Sequence, residues 1–99
     1  MTYRDNFEND VLTIYLNGRI TAENAEELED NVMNSMDEHH PSQVIFDFDE
    51  AEYISSAGLR LIMKIIKSGT EVKLINVSEE IYEIFQMTGF TKLTEVDRK

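Results

Sequence analysis

The chain has 99 residues, which suffices for one domain with a two-layer core and not for two domains. Twenty acidic against nine basic residues give a formal net charge of −11, so direct binding to nucleic acid or to an anionic membrane is not expected. The absence of cysteine excludes disulfides and thiolate metal sites, and no segment has the apolar length of a signal peptide or a membrane span. We expect a soluble, cytoplasmic, single domain over residues 1–99.

The N-terminal segment predicts a β-hairpin. Phe7-Glu8 and the β-branched and aromatic run Val11–Leu16 flank a turn signal at Asn9-Asp10. Asn17-Gly18 predicts the end of the second strand. Because apolar side chains occur at both odd and even positions of this strand, we expect both of its faces to be at least partly covered.

Thr21 is the predicted N-cap of an amphipathic helix of about fifteen residues. Its apolar stripe recurs at helical spacing and consists of Ala25, Leu28, Val32 and Met36. The acidic residues of its first two turns occupy the other positions, where a solvated face is the simplest interpretation. The pair His39-His40 follows as a loop that ends the helix. Adjacent loop residues seldom direct both rings at one ion, so we assign the pair no metal or catalytic role.

Val44–Phe48 is nearly continuous in apolar character, which predicts a central parallel strand. Carboxylates crowd the end of this strand, namely Asp47, Asp49, Glu50 and Glu52. Proximity in sequence does not make their oxygens converge on Mg²⁺, so we prefer a solvated acidic loop to a metal site.

Ser55 and Ser56 lie between this strand and a second predicted helix, Ala57–Lys67. A serine ahead of the first helical turn can accept a hydrogen bond from an unpaired amide, and the same amides favour a phosphate. Ser56 is therefore a candidate N-cap, a candidate phosphorylation site, or both. Gly58 costs about 1 kcal/mol relative to alanine early in a helix, and we expect it to leave room for a close approach.

The last third of the chain predicts a strand, Val72–Val77, and a third helix that Ser78 caps and Gly89 ends. A short tail or edge strand follows, with Phe90, Leu93 and Val96. The order β-β-α-β-α-β-α predicts an α/β fold, a mixed and largely parallel four- to five-stranded sheet covered by about three to four helices. The serine loop then falls at the carboxyl end of a strand, where such folds place their sites.

Four stretches together resemble a STAS domain of the bacterial anti-sigma factor antagonist (anti-anti-sigma factor) type. They are Leu16–Ile20 with the helix after it, Val44–Phe48, Tyr53–Arg60 and Met87–Phe90. The resemblance covers nearly the whole chain, and the serine-loop motif within Tyr53–Arg60 is its specific part. It implies a STAS-like fold.

The resemblance implies a non-enzymatic partner switch. In that family, the central serine of an Asp-Ser-Ser/Thr/Ala-Gly-Leu motif is phosphorylated by an anti-sigma factor that is also a serine kinase, and a serine phosphatase reverses this. Unphosphorylated antagonist binds the kinase. Matching Gly58 and Leu59 places the acceptor at Ser56, with Ser55 as a rival because it stands where many members have Asp; Thr21 also replaces a common Asp. The implied partner-binding residues are Ser55, Ser56, Ala57, Gly58 and Arg60, with no cofactor, metal or catalytic residue.

Other functions stay open at this point. One is a nucleotide- or anion-binding STAS module that holds its ligand on backbone amides without covalent change, although no phosphate-loop motif is present. Another is a serine hydrolase, but Ile54 stands where a nucleophile elbow has its first glycine, and no histidine is placed by sequence as the base. For the switch, a phosphoryl group on Ser56 would add a charge of about −1.5 to −2 beside the acidic segment and sharpen repulsion of an acidic partner.

Overall fold

Strands and helices alternate along the computed structural model, which describes residues 1–99. They are β1 (Arg4–Glu8), β2 (Val11–Ile20), α1 (Ala22–His39), β3 (Gln43–Ile54), α2 (Ser56–Lys67), β4 (Glu71–Val77), α3 (Glu79–Met87) and β5 (Glu95–Arg98). A short 3-10 helix, Phe90–Lys92, links α3 to β5. None of the helices combines the length with the apolar character that crossing a bilayer requires.

The five strands form one sheet in the order β1-β2-β3-β4-β5. β1 pairs antiparallel with β2, and every later neighbour in the sheet is parallel. Because each parallel crossover steps in the same direction and such crossovers are right-handed, the three helices lie on the same face of the sheet. The predicted mixed, largely parallel α/β fold is confirmed, and the predicted tail contains the fifth strand at the edge.

The hydrophobic core lies between this face of the sheet and the helices. It draws on alternate residues of the strands and on the inner stripe of each helix: Leu12, Ile14, Val44, Phe46, Phe48, Leu74, Val32, Leu61, Ile65 and Phe85, each 2% exposed or less. β3 is the central strand, as its continuous apolar run predicts.

The opposite face of the sheet carries no helix. On β2 it presents Val11, Thr13 and Tyr15, which are half-buried among their strand neighbours and are not members of the core. The expectation that both faces of this strand are at least partly covered is confirmed, although helices cover only one of them, since crossovers of one hand and one direction place every helix on a single side.

The sequence predicts the start of β2 correctly but not its end. The hairpin turn is confirmed, with Asn9 and Asp10 both at positive φ (53° and 68°), as a tight hairpin turn requires. The predicted stop at Asn17-Gly18 was wrong, because β2 continues to Ile20. Gly18 has a φ of 67°, and the pairing register of β2 with β3 shifts on either side of it, so the strand bends there without ending.

β3 is longer than predicted and runs through the acidic segment to Ile54. The interpretation of this segment as a loop was wrong, although Asp49, Glu50 and Glu52 are exposed. Three of the carboxylates have their own partners: Asp47 with the Asn76 amide (3.0 Å), Asp49 with Lys99 (3.5 Å) and Glu50 with Arg4 (3.3 Å).

The predicted caps of α1 and α3 are confirmed. Thr21 and Asn24 form a reciprocal capping box, in which Asn24 N donates to Thr21 Oγ1 (3.3 Å) and Thr21 N donates to Asn24 Oδ1 (2.8 Å). Ser78 caps α3 by accepting from Ile81 N at 3.3 Å. The prediction that His39 lies in a loop was wrong. It is the last residue of α1, and its ring stacks on Phe7 of β1.

Candidate functional site

The serine loop is a single residue long. β3 ends at Ile54, Ser55 follows, and α2 begins at Ser56. The Ser55 amide donates to the Ile20 carbonyl at 2.9 Å, which ties the loop to the end of β2. The loop therefore lies at the carboxyl edge of the parallel strands and has a fixed position relative to them, as the sequence order predicts.

Ser55, and not Ser56, is the N-cap of α2. Its backbone is extended (φ −87°, ψ 172°), its Oγ accepts from Gly58 N at 3.4 Å, and its carbonyl accepts from Leu59 N at 3.0 Å. The N-cap role considered for Ser56 was therefore wrong. A helix has one N-cap, and the extended conformation that it needs occurs one residue earlier than the motif alone suggests.

Ser56 is the first residue of α2, and its side chain is exposed. Ser55 is half-buried beneath it. The two serines thus have different environments: one hydroxyl is used in the cap, and the other faces solvent on the outer ridge of the helix. An exposed hydroxyl on a helical first turn is within reach of another protein.

Gly58 is buried, and its role is packing. A Cβ at this position would lie 2.7 Å from Ile54 Cγ1 and 2.9 Å from Ile20 Cγ2, closer than such atoms approach in real proteins. The close approach for which Gly58 leaves room is made by the ends of β2 and β3 themselves. Glycine lets the first turn of α2 pack directly against the sheet. This contact fixes the position of Ser56 relative to the ends of β2 and β3.

Arg60 lies one helical turn after Ser56 and is exposed, whereas Ala57 is half-buried between them. Arg60 therefore belongs to the same outer surface as the serine hydroxyl. Tyr53, the last exposed residue of β3, adds an aromatic ring at 37% exposure, and the Arg19 guanidinium lies over that ring at 4.4 Å from its centroid. Sequence reasoning missed the Arg19–Tyr53 pair.

The charged side chains of α2 itself are all positive. α2 contains three cations and no acidic residue. Lys64 is bonded to Glu29 of α1 at 2.7 Å, whereas Arg60 and Lys67 form no ion pair. The exposed surface of α2 is therefore positively charged, although the chain as a whole has a net charge of −11.

The acidic segment extends away from the serine loop, so its carboxylates lie at different distances from Ser56. Asp47 and Ile54 are seven residues apart on one strand, which corresponds to about 20 Å. The Debye length at physiological ionic strength is about 8 Å, so the field of the early carboxylates is screened at Ser56. Glu52 is exposed and lies only two residues before Ile54, about 7 Å along the strand, so the expectation that these carboxylates sharpen repulsion at the phosphorylated serine stays a prediction that depends on Glu52.

The histidines lie at the far end of α1 from the serine loop. α1 begins next to Ile20, which contacts the loop, and its 18 residues span about 27 Å before His39. No imidazole can therefore act as the base for Ser56, and this separation argues against the hydrolase. His39 stacks on Phe7 with ring centroids 4.3 Å apart.

Surface cavities occur elsewhere on the molecule. The largest has a volume of about 500 Å³ and lies beside α3, where Glu79, Tyr82 and Arg98 are among its lining residues. Neither serine lines any of the four cavities found, so the candidate site is an open surface.

Comparison with known proteins identifies the fold around this surface. Residues 4–99 match the family model of the STAS domain. The chain is 30% identical over 90 residues to BtrV of Bordetella bronchiseptica, which carries the name of an anti-sigma factor antagonist, and the match spans 87% of this chain and 77% of BtrV. The chain belongs to the STAS domain family. The resemblance read from the serine-loop motif is confirmed.

Solved structures share the STAS fold. An anti-sigma factor antagonist from Mycobacterium paratuberculosis has a TM-score of 0.87 at 17% identity, covering 99% of this chain and 86% of that one. The Bacillus cell fate determinant SpoIIAA in its phosphorylated form has a TM-score of 0.74 at 15% identity, covering 96% of this chain and 90% of that one. At these identities, the likeness shows a common fold.

Proposed function

We propose that this STAS domain is a phosphorylation-controlled partner switch, an anti-sigma factor antagonist acting in the cytoplasm. In its unphosphorylated form it binds an anti-sigma factor that has serine kinase activity. Phosphorylation of Ser56 releases that partner, and a serine phosphatase restores binding. The role is regulatory and not enzymatic. The exposed Ser56 hydroxyl beside a capping Ser55 is the observation that carries the proposal.

Ser56 is preferred to its rival for a structural reason. The Ser55 oxygen accepts the Gly58 amide and is half-buried, so modifying it would remove the cap and force a bulky anion against the end of β2. A phosphoryl group on Ser56 extends into solvent from the first turn of α2, where the helix dipole favours negative charge. Modification at Ser56 therefore leaves the fold intact and alters only its surface.

The charge of that surface explains how binding would end. Ser56 lies beside the unpaired Arg60, so the unmodified surface suits a partner with a neutral or acidic face. A phosphoryl group brings a charge of about −1.5 to −2 and reverses the local sign. Moving a complex from 99% bound to 99% free requires about a 10⁴-fold change in affinity, and a buried like-charge contact together with steric intrusion can provide a change of this order.

The acceptor can be tested with three forms of the chain, namely wild type, Ser56→Ala and Ser55→Ala. Each is incubated with ATP and the cognate anti-sigma factor kinase, and intact mass and fragment spectra are recorded. We expect one phosphoryl group on wild type and on Ser55→Ala, and none on Ser56→Ala. An unmodified wild-type chain, or a phosphoryl group mapped to Ser55, would overturn the proposal.

Binding is tested separately with Ser56→Asp, which places one negative charge at the acceptor position. We expect this variant to bind the kinase at least tenfold more weakly than wild type in a calorimetric titration, because the added charge cancels the positive charge of Arg60 on the docking surface. Unchanged affinity would count against the charge mechanism. A parallel titration of wild type with nucleotide reports on the alternative, a non-covalent nucleotide- or anion-binding module.

A further inference from the structure

The geometry points to Arg60 as the residue that binds the phosphoryl group once Ser56 carries it. This inference rests on the proposed function only in taking Ser56 as the modified residue. Arg60 would act as a positioning residue, holding the phosphate on the outer ridge of α2 through hydrogen bonds within the same chain.

Helix geometry places the two side chains next to each other. Ser56 and Arg60 are four residues apart on α2, so they share one face, with about 5–6 Å between their Cβ atoms. Side chains on a helix tilt toward its N-terminus, so the Arg60 side chain is directed back over the turn that contains Ser56. The order is also favourable, because an anion four residues before a cation stabilises a helix better than the reverse order.

Arg60 is available for this contact. It is exposed and forms no ion pair, although the chain has 20 acidic residues. Lys64, the next cation of α2, is already bonded to Glu29 at 2.7 Å. A planar guanidinium can donate two parallel hydrogen bonds to a phosphate, which a lysine ammonium cannot do. The one free cation within a turn of Ser56 is thus also the side chain best suited to a phosphate.

The pair has a consequence for the switch. When the phosphate binds Arg60, the docking surface gains an anion and its arginine is no longer free to bind the partner. One modification therefore makes two changes to the surface, and neither requires the backbone of α2 to move.

The test uses the full chain with phosphoserine placed at position 56 during translation, so no kinase is needed. The second pKa of the phosphate, near 6 for free phosphoserine, is measured by ³¹P NMR titration in otherwise wild-type protein and in Arg60→Gln. We expect Arg60→Gln to raise this pKa by about half a unit, because a paired guanidinium favours the dianion. The matched control is Lys67→Gln, which removes another unpaired cation of α2, about 16 Å along the helix axis from Ser56, and should leave the pKa unchanged.

Charged neighbours on adjoining elements, including Arg19, Glu23 and Glu52, are common to all three proteins, so their effects cancel in the comparison. Equal pKa values in wild type and Arg60→Gln would overturn the inference, as would an equal rise in Lys67→Gln. The outcome is separate from that of the proposed function. A chain that no kinase modifies can still show the phosphate–Arg60 pair, and a working switch can lack it.

Discussion

Substitution of the two adjacent serines separates their roles by stability alone. Ser55→Ala removes the N-cap of α2, and such losses cost about 0.5–2 kcal/mol. The Ser55 Oγ to Gly58 N distance of 3.4 Å is long for a hydrogen bond, so we place the cost in the lower half of that range, at about 0.5–1 kcal/mol. Ser56→Ala removes an exposed hydroxyl and should change the free energy of unfolding by less than about 0.5 kcal/mol.

Urea unfolding followed by circular dichroism measures both effects. With an m-value of about 1 kcal/mol per molar urea for a chain of this size, Ser55→Ala should lower the midpoint by about 0.5–1 M, while Ser56→Ala should leave it nearly unchanged. Ser55→Asp is the control that isolates capping, because aspartate caps as well as serine and should keep the wild-type midpoint. An equal or larger loss in Ser56→Ala, or a failure of Ser55→Asp to retain stability, would refute the assignment of Ser55 as the cap.

Three further predictions follow from the packing and titration of the fold. Gly58→Ala should lower the free energy of unfolding by about 1–2 kcal/mol, because the overlap with Ile54 and Ile20 outweighs the gain in helix propensity; an equal or higher urea midpoint would contradict this. Phe85→Ala should cost about 3–5 kcal/mol, since this ring is fully buried against Phe48 and Phe90, and a loss below about 1 kcal/mol in the same assay would show that the aromatic cluster is wrongly placed. Burial, reinforced by a 2.6 Å hydrogen bond to Asp5, raises the pKa of Tyr3, so the folded state keeps this proton where the unfolded state loses it. The associated stability is present below the ordinary tyrosine pKa of 10.0 and is lost as the pH rises above it, so wild type should lose more stability than Tyr3→Phe between pH 9 and about pH 11. Parallel losses in the two proteins would contradict this prediction.

The arrangement of elements could be predicted because local patterns and topology rules agree. Thr21 and Ser78 precede amphipathic runs and cap α1 and α3 as expected. The apolar run of β3 predicts its central position, and successive β-α-β units fix the parallel order. The family resemblance depends on the serine-loop motif, which falls where this topology places it.

The boundaries of β2 and β3 could not be predicted, because they depend on pairing between strands distant in sequence. Asn17-Gly18 is a turn signal in isolation, yet Gly18 only bends a strand that β3 holds in place on one side. The same pairing keeps the acidic segment extended to Ile54. All three helices lie on one face of the sheet because three successive crossovers run in the same direction. The pattern of apolar residues within a single strand does not predict this.

The roles of individual residues in the site also could not be predicted from the sequence, because they depend on the backbone conformation and on contacts between distant segments. A motif of two adjacent serines does not tell which one takes the extended backbone of an N-cap, and this decided the roles of Ser55 and Ser56. The function of Gly58 depends on Ile20, 38 positions away in sequence, and so could be recognised only in three dimensions. Arg19 and Tyr53 meet only because the register shift near Gly18 brings them opposite each other.

The most direct test of the account is the affinity of the kinase partner for two forms of this chain that differ only at Ser56. One form carries a serine at position 56 and the other a phosphoserine installed at full occupancy, and both are titrated calorimetrically into the same partner preparation. We expect phosphorylation to weaken binding by at least about 100-fold, which corresponds to about 2.7 kcal/mol. Affinities that agree within about twofold, less than 0.5 kcal/mol, would show that the charge on Ser56 does not control the partner.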